Sequence, residues 1–235
     1  MTPRDVLHYI IYMPIRKTPL VSNEIYHVFN KSLDGRHIFI DKKSLQRAFL
    51  CMQYYQRSTP PLKFSHFLQL SKDYQEKILQ NIKSDKSLNI EFLAFCFMPS
   101  HFHFLIKQVS ENGISRFTSN FINSYTRYFN TRHDRNGHLF QGQFKAVHVE
   151  DDDQLLHISR YIHLNPYSSH LVKNIDDLVK YPWSSYTEYL EGGEVCAGKD
   201  MILDQFNNSN DYELFVKDHS DYQRNLESIK HLALD

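Results

Sequence analysis

Cysteine is scarce in these 235 residues: Cys51, Cys96 and Cys196 show neither paired spacing nor density. That excludes a disulfide framework and predicts a reducing, cytoplasmic compartment. Glycine is also sparse, at 7 copies, and no repeat or low-complexity segment interrupts the chain. No secretory signal is expected. The apolar stretch from Val6 to Pro14 carries His8 and is too short to span a bilayer, so no membrane partner is predicted. Net charge is missing as well, since 27 basic and 27 acidic residues cancel. Taken alone, that balance argues against a nucleic-acid partner.

The distribution of charge reverses that argument. Residues 1–185 hold 23 Lys and Arg against 16 Asp and Glu, whereas residues 186–235 hold 4 against 11. Between His101 and Val149 the cations Lys107, Arg116, Arg127, Arg132, Arg135 and Lys145 are opposed only by Glu111 and Asp134. A basic centre beside an acidic C-terminal tail fits a phosphate-binding face with a solvating or regulatory appendage, although an ordinary solvated surface has the same composition. The 41% hydrophobic content suffices for one sizeable domain. The 15 tyrosines and 17 phenylalanines suit a core first and base stacking second.

Periodicity gives the order of elements. Glu24 to Ser32 reads as a strand, Asp41 as the N-cap of a helix running to about Gln56, and Ser58-Thr59-Pro60-Pro61 as its break. Phe64 to about Ser84 reads as one further helix. Leu88 to Phe97 and Phe102 to Lys107 form a hairpin about Met98-Pro99-Ser100, followed by an amphipathic helix from Ile114 to Asn130 and a strand from Phe144 to Val149. A last helix starts after Asp151 and stops at Pro166. The expected class is α+β, an antiparallel sheet with helices on one side.

The most informative residues are His101 and His103. One residue apart in an apolar strand, they share one face while Phe102 takes the other. Such a pair can hold a metal ion, although a packed histidine pair is the commoner case without further context. Tyr161 and Asn165 lie one turn apart on one helical face, so a phenol and an amide oxygen can look at the same point. With the two histidines they make a two-imidazole, one-carbonyl metal site beside a tyrosine. A phenol can act as a covalent nucleophile, although its pKa near ~10 demands activation. Tyr125 is the rival nucleophile, but the residue four positions on is Phe129, which cannot ligate a metal.

Four stretches in one order carry a resemblance: Phe97-Met98-Pro99-Ser100-His101-Phe102-His103, Ser124-Tyr125-Thr126-Arg127-Tyr128-Phe129-Asn130, Gly137-His138-Leu139-Phe140-Gln141-Gly142-Gln143, and Arg160-Tyr161-Ile162-His163-Leu164-Asn165-Pro166, the last followed by Tyr181-Pro182-Trp183-Ser184-Ser185. Together they resemble the single-tyrosine HUH endonucleases, within them the REP-associated tyrosine transposase and IS200-like transposase group. The resemblance implies a ferredoxin-like (RRM-like) antiparallel sheet, the HUH endonuclease fold, with His101, His103 and Asn165 as metal ligands and Tyr161 as nucleophile. It implies cleavage and rejoining of single-stranded or hairpin DNA through a 5′-phosphotyrosine, with Mg2+ or Mn2+, by a monomer or homodimer. Arg127, Arg132, Arg135 and Lys145 are the expected DNA contacts. Ser100 stands where the family usually has Asn, and Gln143 where an Arg is common.

The expected organisation is an N-terminal extension over 1–23, a transposase domain over 24–185 with a helical insertion at about 58–87, and an acidic tail over 186–235. Two rival functions remain: a hairpin-binding protein of the same fold without turnover, and a metal phosphodiesterase acting on small molecules.

Overall fold

The computed structural model describes residues 19–57, 60–84 and 87–225. The Val6–Pro14 stretch, most of the expected 1–23 extension and the end of the acidic tail lie outside the described residues. Among the described residues no helix is long and apolar enough to cross a membrane.

Strand β1 (Ile25–Lys31) alternates buried and half-buried residues. It leads into α1 (Lys42–Tyr55), whose N-cap Asp41 accepts from the Ser44 amide at 2.8 Å. The helix expected from Phe64 to about Ser84 is two helices, α2 (Phe64–Phe67) and α3 (Lys72–Ser84). The break is held by the Gln75 amide, which donates to the Leu70 carbonyl at 3.0 Å, a partner that a continuous helix would not offer. β2 (Ile90–Met98) and β3 (His101–Gln108) form the expected hairpin and are followed by α4 (Gly113–Arg132), β4 (Lys145–His148) and α5 (Asp152–Ser168).

The sheet order is β2-β3-β1-β4, and every neighbouring pair is antiparallel. With α1 crossing from β1 to β2 and α4 from β3 to β4, the βαββαβ arrangement is ferredoxin-like and the class is α+β. Helices cover both faces, not one. On the first face, Tyr26, Val28, Phe102, Phe104 and Ile106 join Ala48 and Cys51 of α1 and Phe117, Phe121 and Tyr125 of α4 in one core. On the second, Cys96, Met98 and Leu105 pack with Leu155 and Ile162 of α5. The register shift at Leu93 in β2 puts both Leu93 and Ala94 on this second face, as an extra residue in one strand does.

Two expectations about chain ends needed correction. α5 runs through Pro166 to Ser168. A proline one turn from a C-terminus forfeits a single backbone bond and leaves little helix to break. The segment after Tyr186 is not a solvated tail over its described part. It folds as α6 (Tyr186–Glu191), α7 (Asp200–Leu203) and α8 (Ser209–Asp218). Tyr186, Tyr189, Ile202, Tyr212 and Val216 from these helices are buried in the second core. None of its described acidic residues is buried, and a charge count alone conceals the apolar side chains between them.

Candidate active site

Sheet geometry puts His101 and His103 on the second face. In register, His103 lies opposite Phe29 of β1 and Cys96 of β2, and His101 opposite Lys31 and Met98. Their rings stand 5.1 Å apart at 90°. Nδ1 of each is held: Ser100 Oγ lies 3.1 Å from His101 Nδ1, and His27 Nε2 lies 2.9 Å from His103 Nδ1. The serine that replaces the usual asparagine therefore still orients the first imidazole.

His27 is the residue that the sequence reading passed over. It sits in β1 beside His103, with ring centroids 5.1 Å apart and nearly parallel. Burial lowers its pKa to about 4, so it is neutral at ordinary pH. The signal was present in the strand, since alternation in Ile25-Tyr26-His27-Val28-Phe29 puts His27 and Phe29 on a common face; only the pairing of β1 with β3 shows which face that is.

Tyr161 comes from α5. Its ring meets His103 edge-on, with centroids 5.5 Å apart, and His27 at 6.1 Å. Asn165 follows one turn on, and its Nδ2 donates to the Tyr161 carbonyl at 2.8 Å, leaving the amide oxygen as the end able to act as a donor to a cation. Thus His101, His103 and Tyr161 are brought together, with Asn165 beside Tyr161 on the helix. Among the described residues no cluster of three or more His, Cys, Asp and Glu is arranged to hold a metal ion. The donor set on hand is imidazole with amide, which suits a transition ion such as manganese better than magnesium.

The helix carrying Tyr161 is clamped from behind. His163, fully buried, has Nε2 2.7 Å from Ser185 Oγ and Nδ1 2.7 Å from the Tyr212 hydroxyl. Ser185 also accepts from the Phe95 amide at 2.9 Å, and the Phe97 amide donates to the Trp183 carbonyl at 2.9 Å. The Tyr181-to-Ser185 stretch thereby covers the free edge of β2 and ties α5 to the strand. Arg160 does similar work: Nη2 donates to His157 Nδ1 at 2.7 Å, and its guanidinium lies 4.3 Å from the Phe215 ring of α8.

The four basic candidates separate. Lys145 on β4 shares the imidazole face, its Nζ 5.9 Å from the Phe29 ring. Arg127 and Arg132 belong to α4, across the sheet. Arg132 is engaged by Asp41 in a two-pronged pair at 3.0 and 2.6 Å, while Arg135 donates to Asn130 Oδ1 at 2.8 Å. Beside Lys145, Val147 is half exposed at 51%, so the sheet is open next to the histidines and closed under α5.

Residues 62–165 match the model of the IS200-like transposases. This stretch is similar to the IS200-like transposases. His101, His103, Tyr161 and Asn165 all fall inside it, and the resemblance read from the motifs is to the same family. A solved structure of a REP-associated tyrosine transposase bound to a REP hairpin is similar at 13% identity, over 75% of this chain and 84% of that one, with a TM-score of 0.48. No curated protein matches the chain. His27, the edge-covering stretch and α6 to α8 lie outside the matched transposase residues.

Proposed function

We propose that this chain is a metal-dependent single-tyrosine transposase that cuts and rejoins single-stranded DNA. The observation that supports the reading most is the edge-on approach of Tyr161 to His103, since it brings a phenol and two oriented imidazoles to one point beside an open stretch of sheet. His101, His103 and the amide oxygen of Asn165 would hold a divalent ion. When bound, that ion polarises a phosphoryl oxygen and offsets the charge that develops there.

In cleavage the Tyr161 oxygen attacks a backbone phosphorus and gives up its proton. The bond from phosphorus to the 3′-oxygen breaks, and that oxygen takes up a proton to become a 3′-hydroxyl. A 5′-phosphotyrosine remains on the chain. Rejoining is the reverse attack by a 3′-hydroxyl, so no external energy source is needed. The clamp of His163 and Ser185 holds the Tyr161 helix at a fixed distance from the strand, which supplies orientation rather than chemistry. Lys145 is the basic candidate on this face able to meet the strand's phosphates. The acting unit is residues 24–185 together with the helices after Tyr186 that complete its second core.

The test is a denaturing gel of protein with labelled hairpin-bearing single strands from DNA flanking its own gene, with manganese. A covalent band in the wild type that Tyr161→Phe lacks is expected. Tight binding without a band on any strand would replace this reading with a binding protein that does not turn over.

A further inference from the structure

A second site lies on the opposite face of the sheet. α1, α4 and the segment around α2 enclose an open cavity of about 860 Å³, a size typical of small-molecule pockets. Its lining includes Arg47, Lys63, Arg127 and Arg132, and no described lining residue is acidic. Arg132 is neutralised by Asp41, which leaves three cations without a carboxylate facing them in the lining.

Arg47 is the informative residue. Its guanidinium sits between two rings, 4.8 Å from the centre of Phe64 and 5.1 Å from that of Tyr128. Its Nε is buried and has no hydrogen-bond partner. That nitrogen is closed off from water, so Arg47 would meet an anion in the cavity through its positive charge rather than through Nε. The α4 wall adds donors and acceptors at helical spacing: Asn120, Asn123, Arg127 and Thr131 follow one face of that helix and line the cavity. Tyr55 and Tyr128 supply aromatic walls.

We infer that this cavity binds a nucleotide unit, its phosphate at Arg47 and Arg127 and its base against the tyrosines and asparagine amides. Guanidinium groups suit phosphate, aromatic rings suit any base, and carboxamides read base edges. An acidic peptide would meet the cations but would leave the aromatic walls and amide row without a match. The unit can come from a strand or from a free nucleotide, because both present the same chemistry. The sheet separates this cavity from Tyr161 and the imidazoles, so the inference does not depend on the proposed strand cleavage.

The test titrates wild type, Arg127→Glu and Arg47→Gln with three separate probes: AMP, a hairpin-free twelve-residue oligothymidylate, and inorganic phosphate. Arg127 is exposed, so its reversal leaves the fold intact; thermal melting checks that Arg47→Gln does too. Saturable binding of AMP or of the strand, weakened at least about tenfold by Arg127→Glu, is expected. AMP binding identifies a free nucleotide as sufficient, and strand binding without AMP binding identifies a polynucleotide. Binding of both probes unchanged by the variants overturns the site. Phosphate binding as tightly as AMP overturns the base-binding half and with it the inference. Tyr161→Phe serves as the separate control for the cleavage reading, and its AMP affinity should match wild type.

Discussion

His27 Nε2 and His103 Nδ1 meet at 2.9 Å, diagonally across the β1–β3 pair. One of the two nitrogens must carry the proton. If it is His103 Nδ1, then His103 Nε2 has its lone pair ready for a cation, and His27 fixes the tautomer as well as the ring plane. His27→Phe keeps the ring bulk and removes that bond. We expect metal-dependent cleavage to fall about 10–100-fold, with strand binding changed by no more than a few-fold. A manganese titration of cleavage in both proteins checks this; superimposable curves would show that His103 needs no such partner.

Asn165 is expected to act through its amide oxygen. Asn165→Ala should lower cleavage and metal affinity together, whereas Asn165→Asp, which offers a carboxylate oxygen at the same length, should retain more of both. Isothermal titration with manganese, run beside the gel assay, separates the two effects. Full metal affinity in Asn165→Ala would remove this residue from the ligand set.

The strand pattern, the βαββαβ order and the shared faces of His101 with His103 and of Tyr161 with Asn165 were legible in the sequence because each depends on local periodicity or on residues a few positions apart. His101 and His103 share a face by strand geometry alone, as Tyr161 and Asn165 do by helix geometry. What stayed hidden depends on pairing between distant segments. The partnership of His27 with His103 needs β1 beside β3. The two-faced cover of the sheet needs α5 and the C-terminal helices folded back over β2. The pairing of Arg132 with Asp41 spans 91 positions and leaves a cation that looked available for DNA already engaged. Charge counting also misjudged the segment after Tyr186, because buried tyrosines contribute nothing to a charge balance.

The Asp41–Arg132 pair carries a pH signature. Hydrogen bonds from Arg132, and then from the Ser44 amide, hold the Asp41 carboxyl well below its usual 3.8. Since the folded pKa is depressed, this contribution is present above about pH 4 and is lost as pH falls further. Asp41→Asn preserves the helix cap while removing the charge. Both groups are largely exposed, so the melting temperature at pH 7 should drop by only about 2 °C, and the gap should begin to narrow below about pH 4 and shrink further as pH falls. Calorimetric scans at pH 7, 4 and 2 provide the check; a gap undiminished at pH 2 would mean the pair is not its source.

His163 acts in the same direction, over a higher pH range. Burial lowers its pKa from 6.5 to about 3, so below pH 6.5 the unfolded chain binds a proton that the folded chain refuses. Stability therefore falls as pH drops from about 6.5 towards 3, with His27 adding to the same slope. His163→Phe should melt lower at pH 7, because Tyr212 and Ser185 lose a partner. It should also lose stability less steeply between pH 6.5 and 4.5. Parallel curves for the two proteins over that range would contradict a buried neutral imidazole.

The helices after Tyr186 set two expectations against each other. A solvating acidic tail would hold the strand away, and its removal would tighten DNA binding at low salt. The packing of Tyr212 and Val216 against α5 says that removal exposes the second core instead. Tyr212 is fully buried, and its hydroxyl reaches His163 Nδ1 at 2.7 Å and donates to Ser159 Oγ at 3.2 Å. Tyr212→Phe should cost about 1–3 kcal/mol, since it strands a buried nitrogen. Tyr212→Ala should cost about 3–5 kcal/mol, as large-to-small changes in cores do. Urea melts of both variants measure these losses, and the Tyr161 helix should loosen with them, because His163 and Tyr161 ride on the same turn. A Tyr212→Ala protein with wild-type stability and tighter strand binding would restore the tail to its solvated role.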